Sequence, residues 1–128
     1  MAIQLAKPAT GARIIAMDLD DEKLKLVKQN RTDNNINSKN EDAANVVIEL
    51  SNKLGADAVI DFVNVSKTVE TDIQLLRRRA KLVLVGLLDY ELKQNLITIL
   101  SRAYKLIGSY VVSITHAAEF SRHLQIII

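Results

Sequence analysis

The sequence predicts one α/β domain, a sheet of short buried parallel strands covered by helices. Three observations carry this reading. Four apolar, β-branched runs recur along the chain, segments with helical spacing separate them, and 128 residues suffice for one core but not for two domains. Apolar residues make up 48% and charged residues 25%, whereas aromatic residues make up only 4%, so the core is aliphatic and the chain is not disordered.

The strand runs are Ala12 to Asp18, Ala56 to Val63, Lys81 to Gly86 and Lys105 to Val112. Each is too short for a typical helix and apolar on both faces, as in a strand covered on both sides. Asp20, Asp21 and Glu22 put negative charge where a following helix has its positive dipole end. Asn34 to Asn37 reads either as a weak strand around Ile36 or as a turn, given four asparagines between Asn30 and Asn37. Ser38 to Glu41 fits the helix-opening pattern Ser-x-x-Glu, ahead of Ala43, Val47, Leu50 and Leu54 at helical steps. Ser66 is placed to cap a helix bearing Val69, Ile73 and Leu76. Crossovers of this size call for right-handed connections between parallel strands. The three isoleucines that close the chain need cover, from the core, a strand pairing or another chain.

The net charge of +2 comes from 17 basic and 15 acidic residues mixed in sign, which offers no broad face to nucleic acid or anionic lipid. Arg77-Arg78-Arg79 with Lys81 is the one basic cluster; the dipole at a helix end explains it, and no aromatics are interleaved. Zero cysteines exclude disulfides and thiolate chemistry, and His116 and His123 alone are too few for a metal centre. Met1 to Lys7 lacks the features of a signal peptide, and no apolar run is long enough to span a bilayer. The expectation is a soluble, cytoplasmic protein without membrane or nucleic-acid partners.

Asp18 ends the first run, and an acidic residue at the carboxyl end of a buried strand is how a dinucleotide-binding fold holds an adenosine ribose. A helix-capping aspartate would look the same. From Ala2-Ile3-Gln4-Leu5-Ala6-Lys7 through Gly11 to Asp18, then Gly55 to Asp61, Leu82 to Leu87 and Ile107 to Tyr110, the chain resembles the cofactor-binding domain of medium-chain, zinc-type alcohol dehydrogenases. The order and spacing of these motifs are specific where each alone is weak.

The resemblance implies an incomplete Rossmann-type, doubly wound parallel sheet over residues 1–128, a single partial dinucleotide-binding domain without the first, central strand. It also implies oxidoreductase ancestry with no turnover by this chain alone, and no zinc within it. Asp18 matches the residue that binds both ribose hydroxyls and favours NAD over NADP. Lys23 matches a second ribose contact, although a solvated lysine is as good a reading. Val85, Gly86 and Leu87 match the segment along the nicotinamide. Gly108, Ser109 and Tyr110 match the sixth strand, which borders the nicotinamide and pairs with its twin across a dimer axis, so Leu106 to Val112 is the expected homo-oligomer contact.

The chain also departs from the family. It lacks the Gly-x-Gly-x-x-Gly turn that cradles pyrophosphate, which weakens NAD binding, and Met1 aligns with a position inside the helix after that turn. Strands flanking the absent one would leave backbone groups unpaired, so they must pair directly, accept Ile126 to Ile128, or accept a strand from a second chain. Glycines are replaced at Arg31, at Arg78-Arg79-Ala80, at Asp89 and at Val112, and where the backbone needs positive φ, Arg31 or Asp89 would be strained by roughly 1 kcal/mol each. The alternative is a non-catalytic remnant that folds as a homo-oligomer without binding dinucleotide.

Overall fold

The computed structural model of the protein describes residues 2–29, 32–86, 88, 91–109 and 125–127. Helices and strands alternate as α1 (Ala2–Thr10), β1 (Arg13–Asp18), α2 (Asp21–Lys28), β2 (Asn34–Asn37), α3 (Ala43–Leu50), β3 (Ala56–Asp61), α4 (Ser66–Leu75), β4 (Leu76–Leu84), α5 (Leu96–Arg102), β5 (Lys105–Gly108) and β6 (Gln125–Ile127). Among the described residues the strands form one six-stranded sheet in the order β2-β1-β6-β3-β4-β5, with every pairing parallel.

Alternation along β1 divides the core between two faces of the sheet. Ile14 and Ala16 pack with Ile3 of α1 and Leu24 of α2, while Ile15 joins Ile36, Val47, Val59, Ile73 and Leu82 on the face covered by α3 and α4. Ile14 and Ile15 are both fully buried, as a strand covered on both sides requires. At the end of α1, Gly11 takes φ +64°, and its N–H donates to the Lys7 carbonyl at 2.9 Å, a helix terminator that needs no side chain.

The central slot of the doubly wound order is filled from the carboxyl-terminal part of the chain. In that order the central strand lies between the neighbours that β1 and β3 provide here. β6 occupies the place, pairing Arg13, Ile14 and Ile15 with Gln125, Ile126 and Ile127 on one side, and Ala58 and Val59 with Ile126 and Ile127 on the other. Insertion of Gln125–Ile127 is therefore the closure this fold takes, while Ile128 lies outside the described residues. It gives buried backbone groups of β1 and β3 their partners.

Several local expectations change. Asn34 to Asn37 is a strand, because pairing with Ile15 to Asp18 of β1 supplies what local sequence does not. Ser38 opens no helix: the N–H groups of Asn40 and Glu41 turn back to the Asn37 carbonyl, and Asp42 caps α3 by accepting from Asn45 N–H at 3.2 Å. Leu54 lies beyond α3 and is exposed, and Leu76 is a buried β4 residue. Ser66 is the first helical residue of α4 rather than its cap, and Thr68 Oγ1 takes the Val65 N–H instead. Asp20 does cap α2, accepting from Glu22 N–H at 2.8 Å.

Arg77, Arg78 and Arg79 do not end a helix. The backbone becomes extended at Leu76, and the register jumps from Ala56↔Leu76 to Ala58↔Lys81, so the arginines bulge from β4. Arg77 pairs with Asp57 across the bulge, and Arg79 sits at φ +63°, a left-handed site where the family resemblance implies glycine. No helix among the described residues is long and apolar enough to cross a membrane. Arg31, Asp89, Val112, His116 and His123 lie outside the described residues.

Candidate functional site

Parallel strands align their carboxyl ends, and an open α/β sheet binds ligands along that crest. Here the crest carries Asp18 at the end of β1, Asp61 at the end of β3, Val85 and Gly86 after β4, and Gly108 and Ser109 at the end of β5. Of the residues expected at a cofactor site, the fold thus brings Asp18, Val85, Gly86, Gly108 and Ser109 to one edge. Lys23 stands on the first turn of α2, exposed, and makes no ion pair with Asp18. Leu87 and Tyr110 lie outside the described residues.

Asp18 is half-buried, and its Oδ1 accepts the N–H groups of Leu19 at 2.7 Å and Asp20 at 3.1 Å. This turn fixes the carboxylate direction and leads the chain into α2, which Asp20 caps. Oδ2 has no hydrogen-bond partner among the described residues. Asp18 is therefore not the cap of α2, the place Asp20 takes: one oxygen shapes the turn ahead of the helix, and the other is left for a donor from solvent or ligand.

Gly86 is where two crest segments touch. A Cβ there would run into the Phe62 carbonyl oxygen, with Phe62 C at 2.5 Å and Val63 C at 2.9 Å. Only glycine permits the approach. The Asp61 carbonyl accepts from Val85 N–H at 2.8 Å and Gly86 N–H at 3.3 Å, and Asn64 Nδ2 donates to the Gly86 carbonyl. On the far side, Ser109 N–H donates to the Leu84 carbonyl at 2.9 Å, and Gly108 is the register partner of Leu84. The β4 crest is held from both neighbouring strands.

Sequence reasoning passed over Asp61, Asn64, Thr68 and Asp72. Asp61 Oδ1 accepts from Val63 and Asn64 N–H at 2.7 and 3.0 Å, and Oδ2 accepts from Thr68 Oγ1 at 2.7 Å. A signal was present: Asp61 ends a buried run as Asp18 does, and Asp72 falls three residues after Val69, on the apolar stripe of its helix.

Away from the crest, Asp33 binds the sheet to α1. Its Oδ2 accepts the Ile14 N–H at 2.7 Å, and its carboxylate pairs with Lys7 Nζ at 2.5 Å. Burial alone would raise the Asp33 carboxyl, but the Lys7 and Ile14 hydrogen bonds and the charges of Lys7 and Arg13 together hold it below its ordinary value.

A family model described as zinc-binding dehydrogenase matches residues 1–127. The chain belongs to that family. The chain is 37% identical over 111 residues to an NAD-dependent alcohol dehydrogenase of Sulfurisphaera tokodaii, covering 87% of the chain and 32% of the relative. It is 32% identical to an NAD-dependent alcohol dehydrogenase of Saccharolobus solfataricus, with the same coverage. The solved alcohol dehydrogenase of Aeropyrum pernix superimposes with a TM-score of 0.81 at 33% identity, over 93% of this chain and 34% of that one. The chain thus spans about a third of the length of the relatives it matches. Zinc does not fit the described residues, since no group of three His, Cys, Asp or Glu side chains comes together among them.

Proposed function

We propose that this chain is the NAD-binding part of an alcohol dehydrogenase-like oxidoreductase, holding cofactor without turnover of its own. The observation that carries the reading is the position of Asp18, at the crest end of β1 with one carboxylate oxygen committed to a turn and the other unpartnered. A carboxylate there accepts from ribose hydroxyls and repels the extra phosphate of NADP. Lys23 would flank the ribose, and Val85 and Gly86 with Leu87, then Gly108 and Ser109, would line the nicotinamide end. The names of the relatives, NAD-dependent alcohol dehydrogenases, support the same cofactor.

Self-association belongs to this reading. Among the described residues β5 is the edge of the sheet, with Leu106 and Ile107 partly exposed, and α5 leaves Leu96, Ile97 and Leu100 more than 70% exposed. An open apolar edge of this kind favours pairing with its twin about a two-fold axis, extending one sheet through two copies.

A second reading, a remnant that folds without binding dinucleotide, draws support from β6. The slot that carries the glycine-rich turn in a full dinucleotide fold is held here by Gln125–Ile127, which has no glycine. Titration of the full chain with NADH, followed by nicotinamide fluorescence and by melting temperature, separates the two. Saturation below millimolar ligand is expected for the cofactor-holding reading. A flat response at millimolar NADH rejects it and leaves the remnant.

A further inference from the structure

Two carboxyls meet beneath the crest. Asp61 is 7% exposed and Asp72 of α4 is 6% exposed, and the charge of Asp61 bears on the Asp72 carboxyl. Asp61 already accepts from Val63 N–H, Asn64 N–H and the Thr68 hydroxyl, a donor set suited to an ionised carboxylate. Asp72 has no such set, and its Oδ2 is buried without a hydrogen-bond partner among the described residues. Two adjoining buried carboxyls do not both ionise readily, so the proton belongs on Asp72, where it turns an orphaned acceptor into a donor towards Asp61.

Burial, then the charge of Asp61 and the hydrogen bond to it, push the Asp72 carboxyl up to about 8. The elements packed against α4 bring other charged or titratable groups: Glu49 on α3, Asp57 on β3, Arg77 to Arg79 and Lys81 on β4, with Tyr104 beside them in the core. Asp61 alone among them bears on Asp72.

What the pair supports is the approach of two crest segments. The Asp61 carbonyl accepts the N–H groups of Val85 and Gly86, and Asn64, whose own N–H rests on Asp61 Oδ1, donates from its side chain to the Gly86 carbonyl. We propose that Asp72 is a positioning residue which, by sharing a proton with Asp61, fixes the turn from Asp61 to Asn64 against Val85 and Gly86 and so sets where that backbone meets the cofactor. The inference rests on the cofactor-holding reading of the crest.

Carboxyl-carbon and amide NMR of the full chain across a pH series tests it without ligand. Asp72 is expected to titrate near pH 8, with the Gly86 amide following the same curve. NADH affinity, measured alongside, is expected to weaken several-fold as pH rises through that range. Asp72→Asn keeps a donor and should hold the Gly86 amide at its low-pH position throughout. Asp72→Ala should lose that position and bind NADH several-fold more weakly even at low pH. An Asp72 carboxyl titrating near about 4, an indifferent Gly86 amide, or Asn and Ala variants that behave alike would overturn the positioning role. If Gly86 follows Asp72 but NADH binds at no pH, the cofactor reading fails while the coupling of Asp72 to this turn stands.

Discussion

Asp18 and Asn37 stand as register partners at the carboxyl ends of β1 and β2, and the N–H of Ser38 donates to the Asp18 carbonyl at 3.2 Å. The main chain of Asp18 is therefore held by its neighbour strand, independently of the charge on its side chain. Asp18→Asn keeps an oxygen for Leu19 and Asp20 N–H, so its melting temperature should match the wild type. NADH affinity should fall about tenfold, or ~1.4 kcal/mol, through loss of a charge-assisted acceptor. Thermal melting reads the first, and calorimetric or fluorescence titration the second. Equal NADH affinity would remove Asp18 from the site.

Arg79 holds φ +63° with an exposed side chain, so its Cβ is strained and no buried contact offsets the strain. Relief of left-handed strain by glycine is worth about 1–2 kcal/mol, less the ~0.5–1 kcal/mol of backbone freedom that glycine adds to the unfolded chain. Arg79→Gly should therefore stabilise the fold by up to about 1 kcal/mol in urea unfolding. Arg78→Gly, at a neighbouring exposed position without positive φ, should be neutral or destabilising.

Gly86 and Gly108 are both crest glycines, but only one is sterically committed. A Cβ on Gly86 collides with the Phe62 main chain, whereas one on Gly108 meets nothing within 4 Å among the described residues. Gly86→Ala should cost on the order of 1–3 kcal/mol, because backbone rather than a flexible side chain must move. Gly108→Ala should stay within about 0.5 kcal/mol. Denaturant midpoints of the two variants provide the comparison.

Ile126 has Ile14 on one side and Ala58 on the other, so β6 is an interior strand although it is only three residues long. Proline there removes a ladder donor and fits poorly between two paired strands. Ile126→Pro should cost about 3 kcal/mol or more and speed hydrogen exchange at Ile15 and Val59. Unchanged exchange at those amides would show that β1 and β3 do not depend on β6.

The strands at Ala12 to Asp18 and Ala56 to Val63 were legible because a buried parallel strand is apolar on both faces, a pattern that depends little on its partners. β2 was not, since three of its four residues are asparagine and only pairing with β1 makes them a strand. The cap of α3 was misplaced by four positions because Ser38 and Asp42 have equal local credentials, and the turn closed by Asn37 decides between them. At the site, Asp18 and Gly86 could be placed by their strand ends and the family resemblance. For Asp72 the sequence shows only an acid on an apolar helical stripe, a signal that acquires meaning once the fold sets Asp61 near it.

Asp72 also gives stability a pH dependence opposite in sign to that of Asp33. An unfolded aspartate loses its proton near about 4, whereas folded Asp72 keeps its proton up to about 8. Between those values the native state binds more protons than the unfolded one, so stability falls as pH rises through the window and levels off above it. Asp33, whose folded value is lowered, stabilises above the ordinary carboxylate range and loses that contribution as pH falls through its folded value. Wild type should thus melt at a lower temperature at pH 9 than at pH 5. Asp72→Asn, which cannot ionise, should flatten this alkaline loss, on the order of a few kcal/mol, and exceed wild type at pH 9. Asp33→Asn should leave the alkaline loss in place and reduce the acid one, and parallel slopes for wild type and Asp72→Asn between pH 5 and 9 would locate the alkaline loss elsewhere.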